Sequence, residues 1–228
     1  MKEVKTKRRR ITGSIATALT AASLVFAPVS TSVLAETGSY SDINEEHSHY
    51  EAIMALTESG VVKGYEDNTF RQWEKMSRQH VAVMMYEAFD LEEPENLEEA
   101  LAVYDDVDTN NRYAKQIGAV TEAGYFKGKE GLFRPDDSIT RQQVASVILL
   151  ARDLESYDST DNQEINLDDA DDSHKERIQI LADLSITNQY DNYRPRESIS
   201  RGAFATMFYN LDQKVNELGS EYRLLIVK

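Results

Sequence analysis

The architecture this sequence predicts is mainly α: three divergent copies of one helix–loop–helix unit, packed as a single pseudo-threefold domain. Two sets of markers and one periodicity predict it. Ser77-Arg78, Thr140-Arg141 and Ser200-Arg201 stand 63 and 60 residues apart, and Phe70-Arg71, Phe133-Arg134 and Tyr193-Arg194 repeat those offsets. A shared period of this kind is the mark of a repeat architecture. Counted from the Ser or Thr, apolar residues recur at +4, +7, +8 and +11, the stripe of an amphipathic helix.

The elements follow in order. In the second helix of each unit the stripe reads Val81, Met84, Met85 and Ala88, then Val144, Val147, Ile148 and Ala151, then Phe204, Met207, Phe208 and Leu211. The first helix carries Ile53 and Leu56, Ile117 and Val120, or Ile178 and Leu181. Gly60 and Gly124 close that helix, where a positive φ is wanted. Gly64 and Gly128 recur four residues later; the third copy has Ser185 for the first Gly and Asn188 near the second, and Asn tolerates left-handed backbone. Ser77, Thr140 and Ser200 are natural N-caps, and Thr140 with Gln143 has capping-box spacing.

A unit of about 50 residues buries too little apolar surface to stand alone, so the three must share a core. The expected divisions are repeats at 40–90, 104–152 and 165–212, followed by a C-terminal tail at 213–228. Acidic linkers, Leu91 to Leu101 and Glu155 to Glu164, join the units; the former is helix-compatible from Pro94 onward.

The first 35 residues read as a secretory signal. Six basic residues between Lys2 and Arg10 precede an uncharged run from Ile11 to Ala27, and Val33-Leu34-Ala35 supplies small residues for cleavage. That run falls short of the ~20 apolar residues a membrane span needs, and no later segment is long enough. The whole chain has 25 basic and 40 acidic residues; removing six basic residues and Glu3 leaves 19 and 39, a net charge of −20. Such a balance excludes nucleic acid as the expected partner, because neutralising phosphates needs a basic face. With no cysteine, an exported chain relies on its core alone.

Arg78, Arg141 and Arg201 fall at the first helical position, where a cation opposes the macrodipole by about 0.3–1 kcal/mol. Three such placements in an acidic chain point to an anion site made of guanidinium, dipole and free helix N–H groups. The competing reading is an ion pair to an aspartate such as Asp42, tying units together. Arg71, Arg134 and Arg194 read as a solvated rim, and the aspartates as caps of the first helix.

These motifs resemble the S-layer homology family, whose modules fix surface proteins to Gram-positive walls. The resemblance rests on the openings Tyr40-Ser41-Asp42-Ile43 and Tyr104-Asp105-Asp106-Val107, and on Phe133-Arg134-Pro135 and Tyr193-Arg194-Pro195. It rests also on Met76-Ser77-Arg78, Ile139-Thr140-Arg141 and Ile199-Ser200-Arg201, and it covers essentially all of the chain after the signal. There are departures: Trp73 is read at the Pro position of the first copy, Ala-Glu is absent after each Arg, and the third opening, Leu167-Asp168-Asp169-Ala170, lacks the aromatic. The resemblance implies a three-pronged domain secreted to the wall or S-layer, with grooves between repeats. These bind a secondary cell-wall polysaccharide attached to peptidoglycan and bearing ketal-pyruvate. Arg78, Arg141 and Arg201 would pair with its carboxylate, and Asp42, Asp106 and Asp169 would take sugar hydroxyls. Lys63 and Lys127 would add charge, and Gly64 and Gly128 would admit close approach. The third groove is expected to be the weakest.

No cofactor, metal or enzyme activity is expected. The calcium-like run from Asp106 to Asn110 has Asn111 at the glycine position and Ile117 where a bidentate Glu belongs. His47, His49, His80 and His174 are scattered and complete no ligand set. An alternative reading is a protein-binding adaptor or assembly factor using the apolar tail, Tyr222 to Val227.

Overall fold

A computed structural model describes residues 40–157 and 163–226, with side chains described as far as Gly219. The signal segment therefore lies outside the described residues. Seven helices follow one another: α1 (Tyr50–Glu58), α2 (Arg78–Ala88), α3 (Leu97–Leu101), α4 (Ala114–Glu122), α5 (Arg141–Leu150), α6 (Asp172–Asp183) and α7 (Arg201–Ile226). No strand is formed among the described residues, only isolated bridges. The short α3 lies in the first linker, capped by the Asn96 side chain on the Glu99 N–H at 3.2 Å.

Each repeat supplies a first helix (α1, α4, α6) and a second helix (α2, α5, α7). The helices pair between repeats: α2 packs on α4, α5 on α6, and α7 on α1. The ring is therefore closed, with each second helix against the first helix of the next repeat. The apolar stripes face inward, and Ile53, Ile117, Ile178, Val81, Val144 and Phe204 are essentially inaccessible.

Backbone hydrogen bonds close the same ring. Ile139 donates to the Met76 carbonyl at 2.9 Å, Ile199 to Ile139 at 3.0 Å, and Met76 to Ile199 at 3.1 Å. These three residues, each just before a helix cap, are buried. An edge that would otherwise present unpaired groups is satisfied by its two neighbours. At the far ends of the second helices, the equivalent positions hold Phe89, Arg152 and Asp212. The Arg152 guanidinium lies 4.6 Å over the Phe89 ring and pairs with Asp212. There the ring is chemically unequal.

One sequence expectation about the turns holds and one is corrected. Gly60 and Gly124 have φ of 78°, and Ser185 replaces them at 56°, but Gly64, Gly128 and Asn188 are not left-handed. Space is what requires the second glycine. A Cβ at Gly64 would run into the Tyr40 ring, and one at Gly128 would come 2.6 Å from the Tyr104 ring. Beyond the third repeat, α7 continues unbroken through residues 213–226.

Candidate ligand groove between repeats

The loop before each second helix is built on a left-handed arginine: Arg71 and Arg134 have φ of 58° and Arg194 of 52°. A non-glycine residue rarely takes this region, so something must hold it. In the first repeat the Asp42 carboxylate accepts the Phe70 and Arg71 N–H groups, both at 2.7 Å. Asp106 grips Phe133 and Arg134 identically, at 2.7 Å. These aspartates brace the loop and do not cap the first helix, as composition had suggested. Asp169 is exposed and makes no such bond among the described residues.

The arginine after each cap reaches into the following repeat. Arg78 Nε donates to the Phe133 carbonyl at 2.5 Å, Arg141 Nε to Tyr193 at 2.7 Å, and Arg201 Nε to Phe70 at 2.9 Å. Each guanidinium also lies over the aromatic ring it bonds beside, 5.0 Å from Phe133, 4.7 Å from Tyr193 and 4.6 Å from Phe70. Burial holds all three below the usual arginine pKa and raises the Tyr193 phenol to about 12. The partner is a carbonyl and a ring rather than an aspartate, so the ion pair of the competing reading is not what ties the units.

The free helix N–H groups expected for an anion are also occupied. Arg78, Arg141 and Arg201 donate their backbone N–H to Asp137, Glu197 and Glu74 carbonyls at 2.9–3.0 Å. The next N–H, of Gln79, Gln142 and Gly202, goes to Pro135, Pro195 and Gln72. This pattern makes Gln72, not Trp73, the equivalent of the two prolines. Gln72 is buried and bonds His47 Nδ1 at 2.9 Å, while Trp73 is 68% exposed.

What remains of each arginine differs. Arg141 Nη2 donates to Gln189 Oε1 and Arg201 Nη2 to the Lys63 carbonyl, both at 3.0 Å. The terminal nitrogens of Arg78 have no hydrogen-bond partner among the described residues. They face a groove of about 510 Å³ that runs from the 125–138 loop across α5 to α6. Lys127, Lys129 and Arg134 line it from the loop, and His174 and Arg177 from α6. Lys63 and Lys127 are exposed, one in each of the first two loops. Gly64 and Gly128 accommodate the tyrosine of their own repeat, so the close approach expected there is taken by Tyr40 and Tyr104.

Sequence reasoning missed Lys129, His174 and Arg177, and it put Arg134 on the rim. The available signal was the repeat alignment: His49, Tyr113 and His174 each stand four residues before Ile53, Ile117 and Ile178. His49 Nδ1 meets Thr206 Oγ1 at 2.8 Å across α1–α7, and His174 Nδ1 meets Ser146 Oγ at 2.7 Å across α5–α6. Burial lowers the pKa of both imidazoles.

The fold thus defines a ring of helical repeats with a cation-lined groove where the second and third repeats meet. The chain belongs to the S-layer homology domain family, whose model matches residues 39–82, 103–145 and 166–205. It is 26% identical over 203 residues to the S-layer protein sap of Bacillus anthracis, covering 88% of this chain and 24% of that one. It is 29% identical over 126 residues to the surface-layer 125 kDa protein of Lysinibacillus sphaericus, covering 53% and 10%. To the exoglucanase XynX of Acetivibrio thermocellus it is 26% identical over 192 residues, covering 82% and 17%. The chain spans no more than 24% of the length of these relatives. Its family and its S-layer relatives make it a cell-surface or secreted protein. No described helix is long and apolar enough to cross a membrane.

Proposed function

We propose that the protein anchors to the bacterial wall without catalysis, its inter-repeat grooves binding an anionic secondary cell-wall polysaccharide attached to peptidoglycan. One observation carries this reading. A chain with a formal net charge of −15 gathers Arg78, Lys127, Lys129, Arg134 and Arg177 around one groove, against the single carboxylate of Asp137. A guanidinium with unpaired nitrogens suits a carboxylate such as ketal-pyruvate, because charge-assisted pairs of this geometry are the strong ones. In this reading Arg78, Arg141 and Arg201 set the three groove floors, Lys63 and Lys127 add reach, and Asp42, Asp106 and Asp169 offer carboxylate lone pairs to sugar hydroxyls. Gly64 and Gly128 position the loops that carry the lysines.

The test is co-sedimentation of the protein with purified wall sacculi before and after acid removal of the polysaccharide. Pelleting only with intact sacculi is expected. Pelleting that survives removal overturns the reading and favours a protein- or peptidoglycan-binding adaptor. That second reading has one observation behind it: α7 runs on to Ile226, well past the lengths of α2 and α5, with Val215 and Leu218 half-buried.

A further inference from the structure

We infer that the three grooves are unequal and that the one between the second repeat's loop and α6 is the anion site, with Lys129, Arg134 and Arg177 as binding residues beside Arg78 and Lys127. The inference rests on the polysaccharide reading for the nature of the ligand, and on this chain's own side chains for the place.

Rotating the groove's residues around the ring shows what the other two lack. Where the second loop has Lys127 and Lys129, the first has Lys63 and Tyr65, and the third has only Thr187, Asn188 and Gln189. Opposite the loop, Arg177 of α6 corresponds to Gln116 of α4 and Ala52 of α1. Two of the cationic positions are therefore neutral in the groove of the first loop, and three in that of the third. The arginines equivalent to Arg134 are already engaged there. Arg71 bonds Asp67 at 2.9 Å and lies over Tyr65 at 3.9 Å, and Arg194 meets Glu197 at 3.3 Å. Arg134 has a looser partner, Glu130 at 3.7 Å, which is 71% exposed at the side chain.

Two observations indicate that the groove beside α6 is built to receive a ligand. Arg78 keeps both terminal nitrogens open, whereas Arg141 and Arg201 spend one each on the protein. On the facing wall Arg177 lines the groove, its Nη1 fixed to the Ser173 carbonyl at 3.0 Å. Cations on both walls also match an extended chain that carries carboxylates, since each wall can pair with a separate group. His174 lies on the same wall as Arg177, held by Ser146, with Asp171 and Arg177 the charged groups acting on it.

The test uses two probes with separate failures. In the first, NMR amide shifts of the protein are followed on titration with an oligogalacturonate, a linear chain of carboxylated sugars. Shifts concentrated at Lys127, Lys129 and Arg177 are expected; equal shifts in all three loops, shifts confined to another loop, or none at all would overturn the inference. In the second, binding to intact sacculi is compared for K129Q, R177Q, R71Q and R194Q. Loss of one charge-assisted contact should weaken K129Q and R177Q about ten-fold each. R71Q and R194Q should stay within about two-fold of the parent, since each removes a cation already paired at the surface. If R194Q or R71Q weakens binding as much as R177Q, the asymmetry is wrong. A protein that ignores sacculi yet shows the localised shifts keeps this groove while losing the wall reading. Thermal transitions of the four variants, expected within a few degrees of the parent, exclude misfolding as the cause.

Discussion

The first two repeats and the third solve the same packing problem differently. In the first, the Tyr40 hydroxyl meets Thr57 Oγ1 at 2.9 Å, and the ring lies where a Cβ at Gly64 would be. The second repeats this with Tyr104, Thr121 at 3.1 Å, and Gly128. The third has Leu167, Ala182 and Asn188 at the corresponding positions, and its Asp169 does not grip the loop. All the parts are lost together. The glycine stands where a tyrosine ring and a backbone carbonyl leave no room for a Cβ, and the threonine stands where a phenol takes a partner. What all three repeats keep is the arginine that crosses to the next unit. The tyrosine, threonine and glycine shared by two repeats thus build the inside of a unit, while the crossing arginine shared by three joins units.

That division predicts a ranking of effects. Arg201→Met or Arg141→Met should cost the most, about 2–4 kcal/mol, by leaving a carbonyl of the next repeat unpaired and removing a cation–π contact. Chemical denaturation measures this, and a loss below about 1 kcal/mol would break the claim that the arginines join units. Gly64→Ala and Gly128→Ala should each cost about 1–3 kcal/mol through overpacking against tyrosine, whereas Asn188→Ala should stay within about 0.5 kcal/mol. Equal losses at all three positions would mean that backbone, not the tyrosine, demands glycine. Tyr104→Phe should cost about 1 kcal/mol, the net worth of one hydrogen bond, and should be close to neutral in a Thr121→Val background.

The smallest expected effect concerns pH and separates the interfaces. His49 and His174 are held below their ordinary value of 6.5 by burial. As the pH falls, the unfolded chain takes up those protons first, so stability is complete above about pH 6.5 and declines below it. The α2–α4 interface has Val83 and Tyr113 at the matching positions and lacks this pair. Melting temperatures between pH 7.5 and pH 5 should therefore fall less for His49→Gln than for the parent. An unchanged slope would show that carboxylates elsewhere govern the acid limb.

The repeat, its period and the buried stripes were legible in the sequence, because helical spacing imposes a pattern that divergence cannot erase without exposing the core. Ser185, read as a substitute for glycine, does take the left-handed turn. The partners of polar groups were not legible. Asp42 and Phe70 are 28 residues apart, and Arg201 meets a carbonyl 131 residues away, so no local pattern announces either bond. The sequence by itself determined which residues had to be inside and where each second helix began. Only the tertiary structure decided that the helix N–H groups are already taken, that Gln72 stands in for proline, and that one arginine of three keeps its nitrogens open. The reason is physical: burial follows from local periodicity, whereas the satisfaction of each polar group depends on which distant atom the closed ring of repeats brings within about 3 Å.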